Sequence, residues 1–463
     1  MAHYDLVVIG SGPAGEKGAA QAGYFKKKVA LVEWRPVLGG AGANTGTLPS
    51  KTLRETALYL SGFRQRGLFG VEMVLSHRAG VRDLLFRERT VSQEESVRVQ
   101  QNMQSHKVDV FQGKGRLVDA HTVAVRRPGS EEKLTGDVIL VATGSRPLHP
   151  PLFPFGAQGI YDSDTILQME EVPHSLVVVG GGVIGCEYAC TFAALGIPVT
   201  LVEPRTPLLG FLDDEMADRL ADRMRDLGVQ FRMPDAVESV DVEDGRITLG
   251  LKSGSSVQAA AVLVAMGRCA NSRNLGLEEV GVAIGDRDRI QVNGHFQTSV
   301  PHIYAAGDVI GFPALASTAM EQARVGMAHA FSLYPKDALA PILPYGLYTI
   351  PELSMAGSTE EELKKQKVDY VVGRAAYATN ARGQIIGDGG GFLKLIFRRE
   401  DMKLLGVHVL GESASELVHI GLTALLLGGT AQLFIETCYN YPTLSETYKY
   451  ATYNALAQRN PVG

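Results

Sequence analysis

Two short glycine-rich segments carry the residue types and the spacing that hold phosphate. The first reads Gly10-Ser11-Gly12-Pro13-Ala14-Gly15 and the second Gly180-Gly181-Gly182-Val183-Ile184-Gly185. In each, the first glycine permits a tight turn and the second lets a pyrophosphate approach the backbone. The third lets a helix pack closely on a strand. A carboxylate, Glu33 or Glu203, follows 23 residues after the first glycine in both cases, placed to accept hydrogen bonds from a ribose diol. A helix opening at such a turn offers unpaired N–H groups and the positive end of its dipole to the phosphates. One GxGxxG is a weak signal, because glycine-rich turns are common. Two complete units with identical spacing point to two bound dinucleotides.

The elements needed to position these loops are legible around them. Tyr4 to Ile9 is an apolar run of the kind buried in a parallel sheet, followed after the first loop by a small-residue helix, Glu16 to Gly23, and a strand, Val29 to Val32. The second unit repeats this with a strand at Ser175 to Val179, a helix at Glu187 to Leu195 and a strand at Val199 to Val202. Two further apolar runs end in small polar turns: Val138 to Ala142 before Thr143-Gly144-Ser145, and Ile303 to Ala306 before Gly307-Asp308. The alternation of strand and helix indicates an α/β fold.

Composition bounds the rest. A chain of 463 residues suggests about three domains. Its 45% hydrophobic and 21% charged residues suit a protein with sizeable cores. The net charge of -5 and the single basic run, Lys26 to Lys28, read as a solvated turn and exclude a nucleic-acid surface. No stretch reaches the length of a membrane span; the nearest, Ile420 to Phe434, is broken by Gly428 and Gly429. The N-terminal residues enter a strand at once with Asp5 inside it, so no signal peptide is expected, and the cytoplasm is the expected compartment. Four cysteines are too few for a secreted disulfide scaffold. Cys186 and Cys190 lie one helical turn apart without a nearby His or Cys pair, so they read as packed helix residues and no metal is expected.

With these motifs in combination, the chain resembles the pyridine nucleotide-disulfide oxidoreductase family from Tyr4 to about Ala457. The resemblance implies two Rossmann-like dinucleotide-binding domains of the glutathione reductase type and a C-terminal α+β dimerisation domain. It implies FAD on the first fold, with Gly10, Gly12, Gly15, Glu33, Gly115, Thr143, Gly144, Asp308 and Ala316 as contacts, Asp308 on the ribityl chain. On the second fold it implies NAD(P)H, held by Gly180, Gly182, Gly185, Glu203 and Gly267, with Arg205 placed to pair a 2′-phosphate. The segment Ala265-Met266-Gly267-Arg268 resembles the stretch that returns the chain to the first fold. The expected division is residues 1–149 and 271–340 for FAD, 150–270 for the nicotinamide nucleotide, and 341–463 for the interface of a homodimer.

Two departures from the family pattern bear on chemistry. Where the family carries two cysteines five positions apart ahead of Pro-Ser-Lys, this chain has Gly42 and Thr47 ahead of Pro49-Ser50-Lys51. Neither side chain forms a thiolate, so disulfide reduction by the family mechanism is not expected. The C-terminal His–Glu motif reads Tyr441 to Glu446, with Tyr in the His place. A tyrosine ordinarily releases its proton only near pH 10 and is a poor shuttle at neutrality. With no thiols to protonate, no such base is needed. Lys51 and Glu187 keep the places of an ion pair beside the flavin and the nicotinamide.

Within the family, Gly46 to Lys51, Leu208 to Met216 and Asn440 to Thr443 are most similar to the soluble pyridine nucleotide transhydrogenases, which keep a cysteine where this chain has Gly42. The expected activity is ping-pong hydride transfer from one nicotinamide nucleotide through flavin N5 to another. Two other readings stand beside it. One is an NAD(P)H:quinone or dye reductase with its acceptor near Tyr441 at the dimer interface. The other is an idle FAD-binding redox sensor.

Overall fold

The computed structural model describes residues 2–62, 80–243, 245–333 and 338–459. Seven of the described strands form one sheet around the first glycine loop. Ala2–Ile9 pairs in parallel with Val29–Glu33 on one side and Ser130–Val141 on the other, Val8 facing Leu31 and Leu140. These central strands are apolar run after apolar run because both faces are covered: Leu6, Val8 and Leu140 pack toward the helices, while Val7, Ile9 and Val141 pack beneath the sheet. The antiparallel strands Thr122–Arg127 and Lys114–Leu117 extend the sheet at one edge. Ile303–Ala305 joins Ser130–Val141 in parallel, Ala305 opposite Val141, so a late segment completes an early sheet.

A second sheet is wholly parallel, ordered Val229–Arg232, Val199–Val202, Leu176–Val179, Ala261–Val264 and Ile160–Tyr161. A side sheet of three antiparallel strands, Val237–Glu243, Arg246–Leu251 and Ser256–Ala259, packs beside it. The chain passes between the two nucleotide-fold sheets along a pair of short antiparallel strands, Ser145–Pro147 and Arg268–Ala270.

The C-terminal region is an antiparallel sheet, ordered Tyr345–Leu347, Leu353–Gly357, Leu404–Leu410, Phe392–Arg398 and Tyr370–Ala376. The helices Ala414–Leu426 and Thr447–Arg459 pack on it around Tyr377, Phe434 and Tyr448. The apolar stretch near residue 420 is broken as its glycines require: Gly428, at φ +66°, separates Ala414–Leu426 from Ala431–Glu436. Among the described residues no helix is long and apolar enough to cross a membrane.

Candidate functional site

The two glycine loops are folded as near copies. Gly10 and Gly180 have φ of +103° and +109°, a conformation that favours glycine. Their N–H groups donate to Val32 and Val202 carbonyls, each at 2.8 Å. A Cβ on Gly15 would lie 1.8 Å from the Gly10 carbonyl oxygen, and one on Gly185 would lie 1.9 Å from that of Gly180. The third glycine is therefore fixed by backbone against backbone, where no side chain can give way. Gly12 and Gly182 sit at the N-caps of the helices Pro13–Tyr24 and Val183–Ala194, and neither helix has a side-chain cap. The first-turn N–H groups thus have no protein side chain competing for them, as a diphosphate site requires.

The two acids are held alike. Glu33 accepts from Ser11 N–H at 3.0 Å and Arg35 N–H at 2.8 Å, and Glu203 accepts from Gly181 N–H at 2.6 Å and Arg205 N–H at 3.1 Å. Beyond this they differ. Ser11 Oγ donates to Glu33 at 2.6 Å, whereas Glu203 receives the Arg205 guanidinium at 2.7 Å. Burial pushes the Glu203 carboxyl up, but the hydrogen bonds from Arg205 and Gly181 outweigh it and hold it below its ordinary range. The Arg205 side chain is 79% exposed, so its guanidinium is tethered at one side and open to solvent on the other.

Three regions of the fold meet at Lys51. This residue lies on the helix Thr47–Leu60, which follows a separate short helix, Gly40–Asn44. Lys51 Nζ donates to Glu187 Oε2 at 2.7 Å, and the other carboxylate oxygen, Oε1, accepts the Tyr348 N–H at 2.9 Å. The Tyr348 ring lies 5.0 Å from the ammonium. One turn along from Lys51, the buried Arg54 donates to the Thr349 carbonyl at 2.9 Å and pairs with Glu352 at 3.3 Å. The first nucleotide fold is thereby bolted to the C-terminal sheet beside Lys51, and Glu187 brings in the second. The helix carrying Glu187 begins at Val183 rather than at Glu187 itself, because the third glycine of the loop is already helical. Glu187 therefore stands just over one turn inside, 6% exposed.

The remaining residues singled out by the sequence divide clearly. Ser145 Oγ donates to Asp308 at 2.7 Å and accepts from Arg268 Nε at 2.7 Å, which orients the carboxylate. Thr143 and Gly144 are tied to Asn271: Thr143 Oγ1 donates to its carbonyl at 2.7 Å, and its N–H donates to the Gly144 carbonyl at 2.9 Å. Ala316 opens the helix Ala316–Ala330, whose face packs on the helix Pro13–Tyr24. Gly115 lies on an edge strand, where a Cβ would press on Ile9 and Val32. Gly267 turns between the second sheet and the return strand at φ +112°. Tyr441 stands apart on the C-terminal surface, 76% exposed, and Glu446 is half-buried at the start of the last helix. Ser145 and Arg268 lie within motifs that the sequence marked, but without a role assigned to either; Tyr348 carried no signal, because it contributes through its backbone, which no motif marks.

All four cysteines are free. Cys186 and Cys190 are buried in the helix Val183–Ala194, and burial pushes the Cys190 thiol up to about 12. Cys438 is exposed in the C-terminal region and Cys269 is partly buried on the return strand.

Comparison with known proteins accords with this geometry. Residues 4–323 match the pyridine nucleotide-disulphide oxidoreductase profile, and residues 343–452 match the dimerisation domain of the same family. The chain is 46% identical to the soluble pyridine nucleotide transhydrogenase of Mycobacterium bovis, over 98% of each chain. It is 40% identical to the soluble pyridine nucleotide transhydrogenase of Marinomonas sp., again over 98% of each. Among solved structures, the HOCl-induced flavoprotein disulfide reductase RclA of Escherichia coli, in its Cu(II) complex, superposes with a TM-score of 0.88 at 25% identity, covering 98% of this chain and 99% of that one.

Proposed function

The chain belongs to the pyridine nucleotide-disulphide oxidoreductase family and is an FAD-dependent, NAD(P)H-using oxidoreductase, and from that premise we propose that it passes hydride between nicotinamide nucleotides without a redox disulfide. The observation that carries this reading is the Lys51–Glu187–Tyr348 arrangement, with Gly42 and Thr47 on the adjoining helical segments where thiols would stand. The residues of the first cradle, Gly12, Glu33 and Asp308, fit FAD, which supplies the centre that takes and returns the hydride. Glu203 and the N-terminus at Val183 hold the nicotinamide nucleotide.

Each protein group then has a defined task. Tyr348 N–H fixes one oxygen of Glu187, so the other is aimed at Lys51. The ammonium presents a preorganised positive charge where negative charge gathers during transfer, the kind of contribution worth about 10²–10³ in rate. The Lys51 side chain is 26% exposed and Glu187 6%, so the pair is shielded on its carboxylate side. Hydride taken up and hydride given back leave no proton to be moved, so Tyr441 in the His place does not interrupt the cycle. A homodimer fits the reading, since Tyr441 and the last helix leave aromatic surface in the dimerisation region.

The test mixes the purified yellow protein with NADPH and thio-NAD⁺ under anaerobic conditions and follows thio-NADH. Turnover of tens per second or more is expected. Slow transfer, with rapid reduction of a quinone by the same protein, would replace this reading with that of a quinone reductase.

A further inference from the structure

Three aromatic rings from three parts of the chain meet outside the residues discussed so far. Phe211 follows Glu203 along the second fold; Phe312 lies between Asp308 and the helix that opens at Ala316; Tyr345 opens the strand that leads to Tyr348. Phe312 and Tyr345 stack with centroids 6.0 Å apart and planes 18° from parallel, and Phe211 meets Tyr345 at 6.0 Å and 47°. Tyr345 is anchored, its carbonyl accepting from Ser354 Oγ at 2.7 Å and its strand paired opposite Met355. Phe312 is 71% exposed, an open ring face backed by a fixed one.

The segments that carry these rings adjoin the Asp308 turn, the end of the second sheet at Glu203 and Tyr348, which on the proposed reading flank a nicotinamide nucleotide. Its diphosphate would sit at the N-cap Gly182, and Glu187 is five residues further along, about 7.5 Å of axial rise. Its reactive ring must lie near the Lys51–Glu187 pair, against the loop of Asp308 and the strand of Tyr348. We propose that Phe312, backed by Tyr345 and Phe211, is a stacking ledge on the approach to the Lys51–Glu187 pair, and that it favours the oxidised nucleotide. The proposal rests on the transhydrogenase reading and goes beyond it. A planar ring lies flat on an exposed aromatic face, and the oxidised nicotinamide is a pyridinium cation, which the negative ring face attracts over the uncharged reduced form. The ledge therefore holds either oxidised nucleotide, the acceptor before transfer and the donor's product after it, over the reduced forms.

The variants are Phe312→Leu, which keeps apolar bulk at an exposed position, and Phe312→Trp, which keeps the aromatic face. Wild type and both variants are compared for KM of thio-NAD⁺ at saturating NADPH, for the NADPH Kd from anaerobic flavin reduction, and for sedimentation. F312L is expected to raise the thio-NAD⁺ KM about three- to ten-fold, the scale of one aromatic contact, and to change the NADPH Kd less than about two-fold. F312W should retain the wild-type values. No change in either constant, or an equal rise in both, overturns the ledge. A changed sedimentation coefficient with intact kinetics also overturns it, by making the patch a contact between copies of the chain. A wild-type protein whose flavin neither NADPH nor NADH reduces overturns the transhydrogenase reading and the ledge together, whereas wild-type turnover with an indifferent F312L overturns the ledge alone.

Discussion

Replacing Lys394 by Met should loosen the second nucleotide fold from the C-terminal sheet. Lys394 is wholly buried, and its ammonium donates to Asp213 at 2.6 Å, to Glu360 at 2.6 Å and contacts Glu215 at 3.0 Å. Asp213 and Glu215 belong to the segment opening the helix Asp214–Asp226 of the second fold; Glu360 and Lys394 belong to the C-terminal region. Burial pulls the lysine pKa down, but the hydrogen bonds to Asp213 and Glu360 outweigh it and hold it above the usual range. Arg374 donates to Glu215 at 2.8 Å and lies 3.7 Å from Glu360, but no such contact with Asp213 is seen. Without the lysine, Asp213 keeps chiefly the Glu360 N–H at 3.1 Å, and three carboxylates share one cation. Removing one partner of a buried ion pair costs about 3–5 kcal/mol. At the response of a 150–250-residue unit this corresponds to a fall in Tm of roughly 6–20 °C. Differential scanning fluorimetry, read separately through intrinsic and flavin emission, would follow it. The deficit should shrink as the pH is lowered toward 5, because the stranded Asp213 then takes up a proton. Adding Asp213→Asn should recover much of the loss. A single variant within about 2 °C of wild type, or a deficit independent of pH, would refute the reasoning.

Three other perturbations separate the parts of the site. Gly15→Ala and Gly185→Ala both force a Cβ into a backbone oxygen, at 1.8 and 1.9 Å; the first should yield protein without the 450 nm flavin band, the second yellow protein whose nicotinamide KM is raised more than about ten-fold, as absorbance and steady-state kinetics will show. Glu203→Gln removes the charge that tethers Arg205 and repels a 2′-phosphate, so the ratio of kcat/KM for NADPH over NADH should rise by about ten-fold. His408 is fully buried between Lys394, Asp213 and Glu361, its ring bonded to the Ser358 carbonyl at 3.1 Å, and burial holds its pKa below the ordinary value. The unfolded chain then binds the extra proton, so stability is complete above about pH 6.5 and falls below it by up to about 1.4 kcal/mol per pH unit. Denaturant unfolding of wild type and His408→Gln between pH 5 and 8 checks this, the variant losing that slope.

The two glycine loops and their acids were legible because their geometry is local. Gly10, Gly12 and Gly15 act within one turn, and the acid of the next strand lies at a spacing set by one helix and one strand. The same locality misled in both units: reading Gly10 to Gly15 and Gly180 to Gly185 wholly as loops put the helix starts at Glu16 and Glu187, whereas the helices begin at Pro13 and Val183. Lys51 and Glu187 were matched by family pattern, whereas the N–H that orients Glu187 comes from Tyr348, 161 residues away. Arg54 gave no sign of its role either, since its partner at Thr349 is a carbonyl. The Lys394 cluster was hidden for a related reason. Its members come from separate segments, and each taken alone is a charged residue of the commonest kind.

The late arrival of Ile303–Ala305 sets a timetable for synthesis. Its partner strand ends at Val141, 162 residues earlier, so the nascent chain carries an unpaired edge while the whole second fold emerges from the ribosome. At about 5–20 residues per second that interval is roughly 8–30 s. An unpaired edge exposed for so long is a template for pairing between chains. The inserted second fold, whose parallel sheet closes on its own strands, can collapse during that time. The first sheet cannot finish until Ile303–Ala305 has been made and pairs with Ser130–Val141.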